Sequence, residues 1–175
     1  MNTQDLICEK LLDLMENRPF YQIKVTQLAE CCGISRSTFY AHFDSIYEVV
    51  QRIEDDFLAH IPNESAVDPT DKSAIVDNLV FLRDNIRKVK ILFGPNGDPS
   101  FAAKFANRNK RVLNTLASKN RSEATTLELQ VVNEFMLGGK MRLLQWWASN
   151  EKSVSVNDLN DISDRIITAL HEILW

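Results

Sequence analysis

Apolar residues recur at intervals of three and four along most of the 175-residue chain, and this spacing constrains the fold more than any other feature. An α-helix turns once every 3.6 residues, so this period places apolar side chains on one face of a helix. The first instance is residues 4–17, where one stripe contains Ile7, Cys8, Leu11, Leu14 and Met15. The chain has no alternation of period two, the pattern of half-buried strands. The sequence therefore predicts an all-α protein.

Residues that end or start helices separate these segments. Asn17-Arg18-Pro19 ends the first one, because the residue before a proline is disfavoured in the α conformation. Ser45 and Glu48 form a capping-box pattern and start another helix, which we expect to run to about residue 60. The later spacing predicts four more helical segments, over Asp71–Leu92, residues 100–118, Thr125–Ala148 and Ser155–Trp175.

Residues 61–70 divide the chain into two parts. They contain two prolines, several polar residues and no helical period, which indicates a connector. The prediction is an N-terminal domain over residues 1–60, with a connecting helix at 45–60, and a helical domain over residues 61–175.

Composition and motifs exclude several classes of protein. No apolar run approaches the roughly 20 residues that span a bilayer, and the chain opens without a secretory signal, so we expect a cytoplasmic protein with no membrane partner. The cysteines lack the paired spacing of a zinc site, and we interpret them as small buried hydrophobic residues: Cys8, Cys31 and Cys32. Nucleophile elbows, phosphate loops and metal-binding motifs are missing. We expect no enzyme activity, no catalytic residue, no metal and no cofactor.

Two short helical stretches, Val25–Cys32 and Ser35–Ala41, are separated only by Gly33 and Ile34. Glycine can adopt the positive φ that a tight turn between helices needs. Two helices joined in this way form a helix-turn-helix, whose second helix enters the major groove of DNA. The sequence therefore predicts a three-helix DNA-binding domain at the N-terminus.

The first turn of the second stretch has side chains that suit DNA. Ser35 is a good N-cap, which places the next three residues where a recognition helix reaches base edges. Arg36 can bond guanine in bidentate fashion, and the Thr38 methyl group can meet a thymine methyl. Ser37 and the backbone N–H groups suit phosphate.

The run from Gly33 to Phe43, preceded by Leu28-Ala29 and followed by Ser45 and Glu48, closely resembles the TetR/AcrR family of bacterial transcriptional regulators. The resemblance covers about residues 4–57. It implies that the positions of Tyr40 and His42 contact phosphates, while Phe39 and Phe43 pack the domain. The predicted DNA contacts are Lys24, Ser35, Arg36, Ser37, Thr38, Tyr40 and His42.

The chain departs from the family pattern at two positions and in its charge. The family usually has a phosphate-contacting Lys where this chain has Ile46, and Ser or Thr where it has Lys24, which we expect to take over part of the phosphate contact. Residues 1–60 contain five basic and ten acidic residues, a net charge of −5. Because phosphate contact supplies most non-specific DNA affinity, we expect weak binding to random DNA and dependence on two half-sites.

The resemblance also implies a homodimer, formed by the last two helices, that binds a double-stranded DNA operator. A small effector, or failing that a regulatory protein, is expected at the C-terminal domain. The predicted pocket is Phe81, Phe105, Met136, Met141 and Trp147, with polar selectivity from Asn78, Asn133 or Gln145. Core packing would account for the same apolar residues. The Gly138-Gly139 pair inside a helix indicates close approach of a neighbouring helix or local space for a ligand.

A second function is compatible with these features. The acidic N-terminal domain and Ile46 favour a protein-interaction module that kept the fold and lost DNA contact, whereas the residues from Ser35 to His42 oppose it. The operator, the effector and the choice between repression and activation stay open at this stage.

Overall fold

The computed structural model describes residues 2–61, 80–105, 107, 126–150, 152–155 and 157–159, and the single positions 161, 162, 165, 166 and 169. All regular elements within these ranges are helices, and the predicted all-α class is confirmed. Contacts divide the chain into two compact units. The first contains Met1–His60 and Arg87–Phe101, and the second contains Ile61–Ile86 and Ala102–Trp175.

Six helices have defined bounds. They are α1 (Thr3–Met15), α2 (Val25–Cys32), α3 (Arg36–Tyr40), α4 (Ile46–His60), α5 (Ile86–Leu92) and α6 (Thr126–Asn150). A single 3-10 turn, Phe20–Gln22, lies between α1 and α2. The helices predicted in the N-terminal domain are therefore present, with ends that differ from the sequence-based bounds by one or two residues.

Polar side chains fix where these helices begin. Asn2 Oδ1 accepts a hydrogen bond from the Asp5 N–H at 2.8 Å and starts α1. Ser45 Oγ accepts from the Glu48 N–H at 3.2 Å and starts α4. The Glu48 carboxylate accepts from the backbone N–H of Asp44. These bonds satisfy N–H groups that have no partner inside a helix, so the predicted helix start at Ser45 is confirmed.

The apolar stripes of the first four helices meet in one core. Its fully buried members include Ile7, Leu11 and Met15 of α1, Leu28 of α2, Phe39 of α3, and Val49 and Val50 of α4. Burying a side chain of this size contributes about 1.5–3 kcal/mol, so the short helices α2 and α3 are held by this core rather than by their own helix propensity.

The segment Arg87–Phe101 packs against this core although it is distant in sequence. The Phe57 ring of α4 lies 6.5 Å from the Phe93 ring and 6.0 Å from the Phe101 ring, measured between centroids. Asn96 donates from Nδ2 to the Met15 carbonyl at 2.8 Å. The domain boundary at residue 60 stays a prediction. The structure adds the segment Arg87–Phe101 to the first unit.

Arg87 binds three carboxylates of α1. Its Nε donates to Glu16 Oε1 at 2.6 Å, its Nη1 lies 3.2 Å from Glu9 Oε2, and its Nη2 donates to Asp13. The hydrogen bond to Glu16 is the largest of the effects that raise the pKa of Arg87. Burial acts to raise the pKa of Asp13, but hydrogen bonds from Lys10 and Arg87 outweigh it and hold that pKa below its usual value. One guanidinium thus offsets the acidic face of α1.

Two sequence-based interpretations are wrong. The predicted continuous helix over Asp71–Leu92 is interrupted, because residues 80–84 are helical and Asn85 forms a turn before α5. The Asn85 side chain donates to the Phe81 carbonyl at 3.0 Å, and the same carbonyl also accepts from the Asn85 backbone N–H at 3.0 Å. Positions 71–79, and much of the helix predicted over 100–118, lie outside the described residues.

The cysteines are not uniformly buried as predicted. Cys31 is exposed, and Cys8 and Cys32 are half-buried. Burial raises the pKa of the Cys8 thiol to about 11. The short α2 helix turns Leu28 and Ala29 into the core, and Cys31 lies on a different face.

The second unit contains α6 and the residues that follow it. Trp147 is 1% exposed, and its indole Nε1 donates to the Val154 carbonyl at 3.0 Å. Ser155 Oγ accepts from the Asp158 N–H at 3.1 Å, as an N-cap of the predicted last helix does. Across the described ranges, no helix combines the length and apolarity needed to cross a membrane.

Replacing Arg87 by Met is expected to lower the free energy of unfolding at pH 7 by about 1 kcal/mol, the size expected for a partly exposed ion network. Since the pKa of Asp13 is depressed in the folded protein, its contribution is present above pH 4 and is lost as the pH falls through the folded value. Urea titrations of both proteins between pH 7 and pH 2 should therefore converge at the acid end. Arg83→Met is the matched control, because Arg83 pairs only with its sequence neighbour Asp84, at 2.8 Å. An equal effect of both substitutions at every pH would contradict the prediction.

Candidate nucleic-acid interface

The turn between α2 and α3 depends on Gly33. Its φ is +66°, in the left-handed region that residues with a side chain rarely adopt. The Ile34 N–H donates to the Ala29 carbonyl and the Gly33 N–H to the Glu30 carbonyl, both at 3.0 Å, which closes the end of α2. Ala29 is 2% exposed and Phe39 is fully buried. The turn therefore joins α2 and α3 across a buried seam, as the sequence predicted.

The Ser35 hydroxyl organises the first turn of α3. Its Oγ accepts from the Thr38 N–H at 3.0 Å and lies 2.7 Å from Ser37 Oγ and 2.8 Å from Thr38 Oγ1. These three contacts use the full hydrogen-bonding capacity of a hydroxyl. Ser35 thus shapes α3 as its N-cap. The Thr38 hydroxyl is engaged at the cap, which leaves its methyl group for contact with a thymine.

The predicted DNA contacts lie together in the segment from the start of α2 to the turn after α3. Lys24 precedes α2 and is exposed, and His42 is half-buried in the turn after α3. The side chains on α3 form two groups, of which one is exposed and contains Arg36, Ser37, Thr38 and Tyr40. The other is the buried Phe39, which with the nearby buried Phe43 anchors the helix.

Charge is distributed unevenly along the first unit. Residues 17–43 contain three basic residues and one acidic residue, a net charge of +2. The rest of residues 1–60 contains two basic and nine acidic residues, a net charge of −7. The negative total that the sequence shows therefore conceals a basic segment, residues 17–43, which contains the helix-turn-helix and is the part that a phosphate backbone would meet.

The basic residues in these two parts of the first unit also differ in whether they form ion pairs. Lys10 of α1 lies 3.1 Å from Asp13, and Arg52 of α4 lies 2.8 Å from Asp56. By contrast, Arg18, Lys24 and Arg36 make no ion pair among the described residues. These three basic residues are therefore available to bind an anion.

The residue at the position where the family usually has Lys faces inward. Ile46 is 9% exposed, and the exposed side chain in the first turn of α4 belongs to Tyr47, which is 45% exposed. Sequence reasoning did not select Tyr47, nor Tyr21, which is 68% exposed in the 3-10 turn. The presence of all three tyrosines of the chain within residues 21–47 was the available signal.

The predicted pocket residues all belong to the second unit. Phe105 and Trp147 are buried, and Phe81 and Met141 are half-buried. The Met136 side chain lies outside what the structure describes, as do those of Asn78 and Asn133, while Gln145 is half-buried. In the described residues no group of three or more His, Cys, Asp or Glu could hold a metal ion.

Three solved structures share this fold. A TetR transcriptional regulator from Streptococcus agalactiae 2603V is similar with a TM-score of 0.75 and 18% identity, over 94% of this chain and 93% of that one. The dihydroxyacetone kinase operon activator DhaS has a TM-score of 0.61 and 19% identity, over 98% and 96%. The fatty acid degradation regulator FadR from Bacillus halodurans has a TM-score of 0.64 and 13% identity, over 95% and 94%.

The similarity extends over nearly the whole chain, so the protein has the fold of TetR-type regulators in both of its parts. No family model matches the sequence, and none of the curated proteins does.

Replacing Gly33 by Ala is expected to destabilise the protein by about 1–2 kcal/mol, because an L-residue is strained in the left-handed region. A Cβ atom at this position meets no heavy atom within 4 Å, so steric contact adds nothing to that cost. Gly33→Asn should cost less, since Asn tolerates this conformation better. Chemical denaturation of the three proteins measures the difference. Equal stability of the Ala and Gly proteins would contradict the assignment of strain to this turn.

Proposed function

We propose that this protein is a TetR-like transcriptional regulator, not an enzyme, that binds a near-palindromic DNA operator as a dimer. The observation that carries the proposal is the Ser35-capped α3, with Arg36, Ser37 and Thr38 exposed in its first turn. A recognition helix uses the residues of its N-terminal turn to reach base edges in the major groove. Arg18 and Lys24, which precede α2 and make no ion pair among the described residues, suit contact with phosphates.

The fold supports this reading. The solved structures with the same architecture are named as a transcriptional regulator, an operon activator and a degradation regulator. One of these proteins is named as an activator and the other two only as regulators, so we propose control of transcription without assigning repression or activation. The charge distribution opposes the interaction-module alternative, because residues 17–43 have a net charge of +2.

Dimerisation through the second unit is supported by an exposed apolar stripe on α6. It comprises Leu127 (68% exposed), Val131 (60%), Phe135 (68%) and Trp146 (46%). The first three lie four residues apart, on one face of the helix. A contiguous row of large apolar side chains in water favours a protein interface, and two-fold pairing covers the same patch on both copies.

Two further features of the second unit suit the same interface. Gly138 and Gly139 are exposed, and a Cβ atom at either position has open space within 4 Å, so a neighbouring helix could approach α6 closely there. In the last helical segment, Ile162 and Ile166 are 46% and 52% exposed. These residues lie in the two segments predicted to form the dimer.

Control by an effector completes the proposal. A small, mostly apolar molecule, or a partner protein, would bind the C-terminal domain and change the spacing of the two recognition helices. That spacing must match about 34–36 Å, one turn of DNA, so a small displacement is enough to weaken binding. Trp147 would act there through its ring, because its N–H already bonds the Val154 carbonyl.

Arg36→Ala and Tyr40→Phe should weaken DNA binding in different ways. If Arg36 reads guanine, its loss costs on the order of 1–3 kcal/mol at that base pair and relaxes specificity there. Loss of the Tyr40 hydroxyl removes a phosphate contact and weakens binding evenly across sequences. The measurement is selection of an operator from random DNA, followed by titration of each variant against every single-base change in it. Failure of the wild-type dimer to select any sequence would contradict the proposal and favour the interaction module.

Phe135→Glu and Ile166→Glu should each yield a folded monomer. Because both side chains are more than half exposed in the single chain, a charge there is tolerated in water but not in an apolar interface. Native mass measurement at micromolar concentration gives the oligomeric state, and circular dichroism gives the helix content. Ala103→Glu, an exposed helical position of the second unit outside α6, is the control expected to stay dimeric. A wild-type monomer at that concentration would contradict the proposed interface.

A further inference from the structure

All three tyrosines of the chain lie in the first unit, and each packs against a phenylalanine. The Tyr40 and Phe39 ring centroids are 5.5 Å apart with an interplanar angle of 84°. The Tyr21 and Phe20 rings have nearly the same geometry, with centroids 5.7 Å apart and an interplanar angle of 81°. The Tyr47 ring lies 6.2 Å from the same Phe20 ring. Each tyrosine is therefore anchored through its ring.

The same three side chains are extensively exposed. Tyr21 is 68% exposed, Tyr40 47% and Tyr47 45%. Among the described residues, none of their hydroxyl groups has a hydrogen-bond partner. A ring held by a neighbour and a hydroxyl left in water form a rigid donor at little cost in conformational entropy. Tyr21 and Tyr47 thus share these features with Tyr40, the position to which the family resemblance assigns a phosphate contact.

Tyr21 and Tyr47 belong to two neighbouring elements. Tyr21 lies in the 3-10 turn that leads through Lys24 into α2, and Tyr47 lies in the first turn of α4. The shared contact with Phe20 holds the entry to α2 beside the start of α4. The two hydroxyl-bearing rings therefore extend the surface of the helix-turn-helix beyond α3.

The charges near Tyr21 differ from those near Tyr47, and only the charges near Tyr21 favour an anionic partner. Residues 17–29 contain Arg18 and Lys24 and no acidic residue. On the α4 side, Asp44 and Glu48 are acidic, and the Glu48 carboxylate accepts the Asp44 N–H at the helix start. A neutral donor is the group that can meet a phosphate next to such carboxylates without forming an ion pair with them.

We propose that Tyr21 and Tyr47 donate hydrogen bonds from their hydroxyl groups to DNA phosphates beside the site read by α3. The inference rests on the proposed function and adds two contacts to it. It also gives a reason for the buried Ile46, because the phosphate contact at the start of α4 passes from a cation to the neighbouring tyrosine.

Neutral contacts have a measurable signature. Each phosphate neutralised by a cation releases counterions and adds about 0.9 to the slope of log K against log salt concentration. A tyrosine hydroxyl displaces no cation, so it adds affinity and leaves that slope unchanged. This separates a hydroxyl contact from an electrostatic one, and also from a purely structural role of the ring.

The test uses the full-length protein and the operator selected by the wild type. Tyr21→Phe and Tyr47→Phe keep the rings on Phe20 and remove only the hydroxyls. We expect each to weaken binding by about 3- to 10-fold, the effect of a neutral hydrogen bond, with the same base preferences and the same salt slope. Tyr47→Lys should increase the slope by about 0.9 per protomer. Ser149→Ala removes an exposed hydroxyl from the second unit and is the control expected to leave affinity unchanged.

The outcomes separate the inference from the proposed function. If the wild type binds its operator and both Phe variants bind equally well, the inference is wrong and the proposed function stands. A salt slope altered in the Phe variants, or a loss confined to particular base pairs, would also overturn it. An altered oligomeric state at unchanged DNA affinity would assign the two tyrosines to a protein contact instead. If the wild type selects no DNA sequence, the proposed function fails first.

Discussion

The left-handed backbone at Gly33 is the constraint on which the first unit depends. It lets α2 end and α3 begin within three residues, so that Leu28 and Phe39 become buried in the same core. A helix of five residues has no stability of its own. The Ser35 cap at one end and the buried Phe39 hold α3 in place, and Arg36, Ser37 and Thr38 are exposed as a consequence.

The net charge of −5 over residues 1–60 opposes the proposed DNA binding less than the total indicates. Acidic residues concentrate on α1 and α4, where Lys10, Arg52 and Arg87 each pair with carboxylates. The basic residues between these helices are not paired in this way. Exposed pairs of this kind contribute little to stability, and their electrostatic effect is to offset part of the acidic charge of α1 and α4.

Aromatic packing and hydrogen bonding hold the Arg87–Phe101 segment on the first unit. The rings of Phe93 and Phe101 lie 4.9 Å apart and both contact Phe57 of α4. Asn96 bonds the end of α1 and accepts from the Phe20 N–H at 3.0 Å. A displacement of this segment would therefore act on α1, on α4 and on the turn that carries Tyr21. This arrangement suits a regulator whose DNA affinity is changed by events elsewhere in the chain.

The sequence by itself determined the local structure of the first sixty residues. Helical period predicts α1, α2 and α4, and cap and turn residues predict their ends, because these effects act over three or four residues. The exposed face of α3 follows from the same information. The interruption at Asn85 was missed because a single turn residue leaves the apolar period of the segment unchanged.

Only the tertiary structure decided which distant groups meet. Arg87 lies more than seventy residues from the α1 carboxylates that it binds, and nothing in the spacing of either segment encodes that pairing. The same holds for Phe20 and Tyr47, whose contact places a second tyrosine near the entry to α2, and for Cys31, which we interpreted as buried because it lacks the spacing of a zinc site. A periodic pattern specifies that a face is buried, whereas the partner that buries it is selected by the packing of all the helices together.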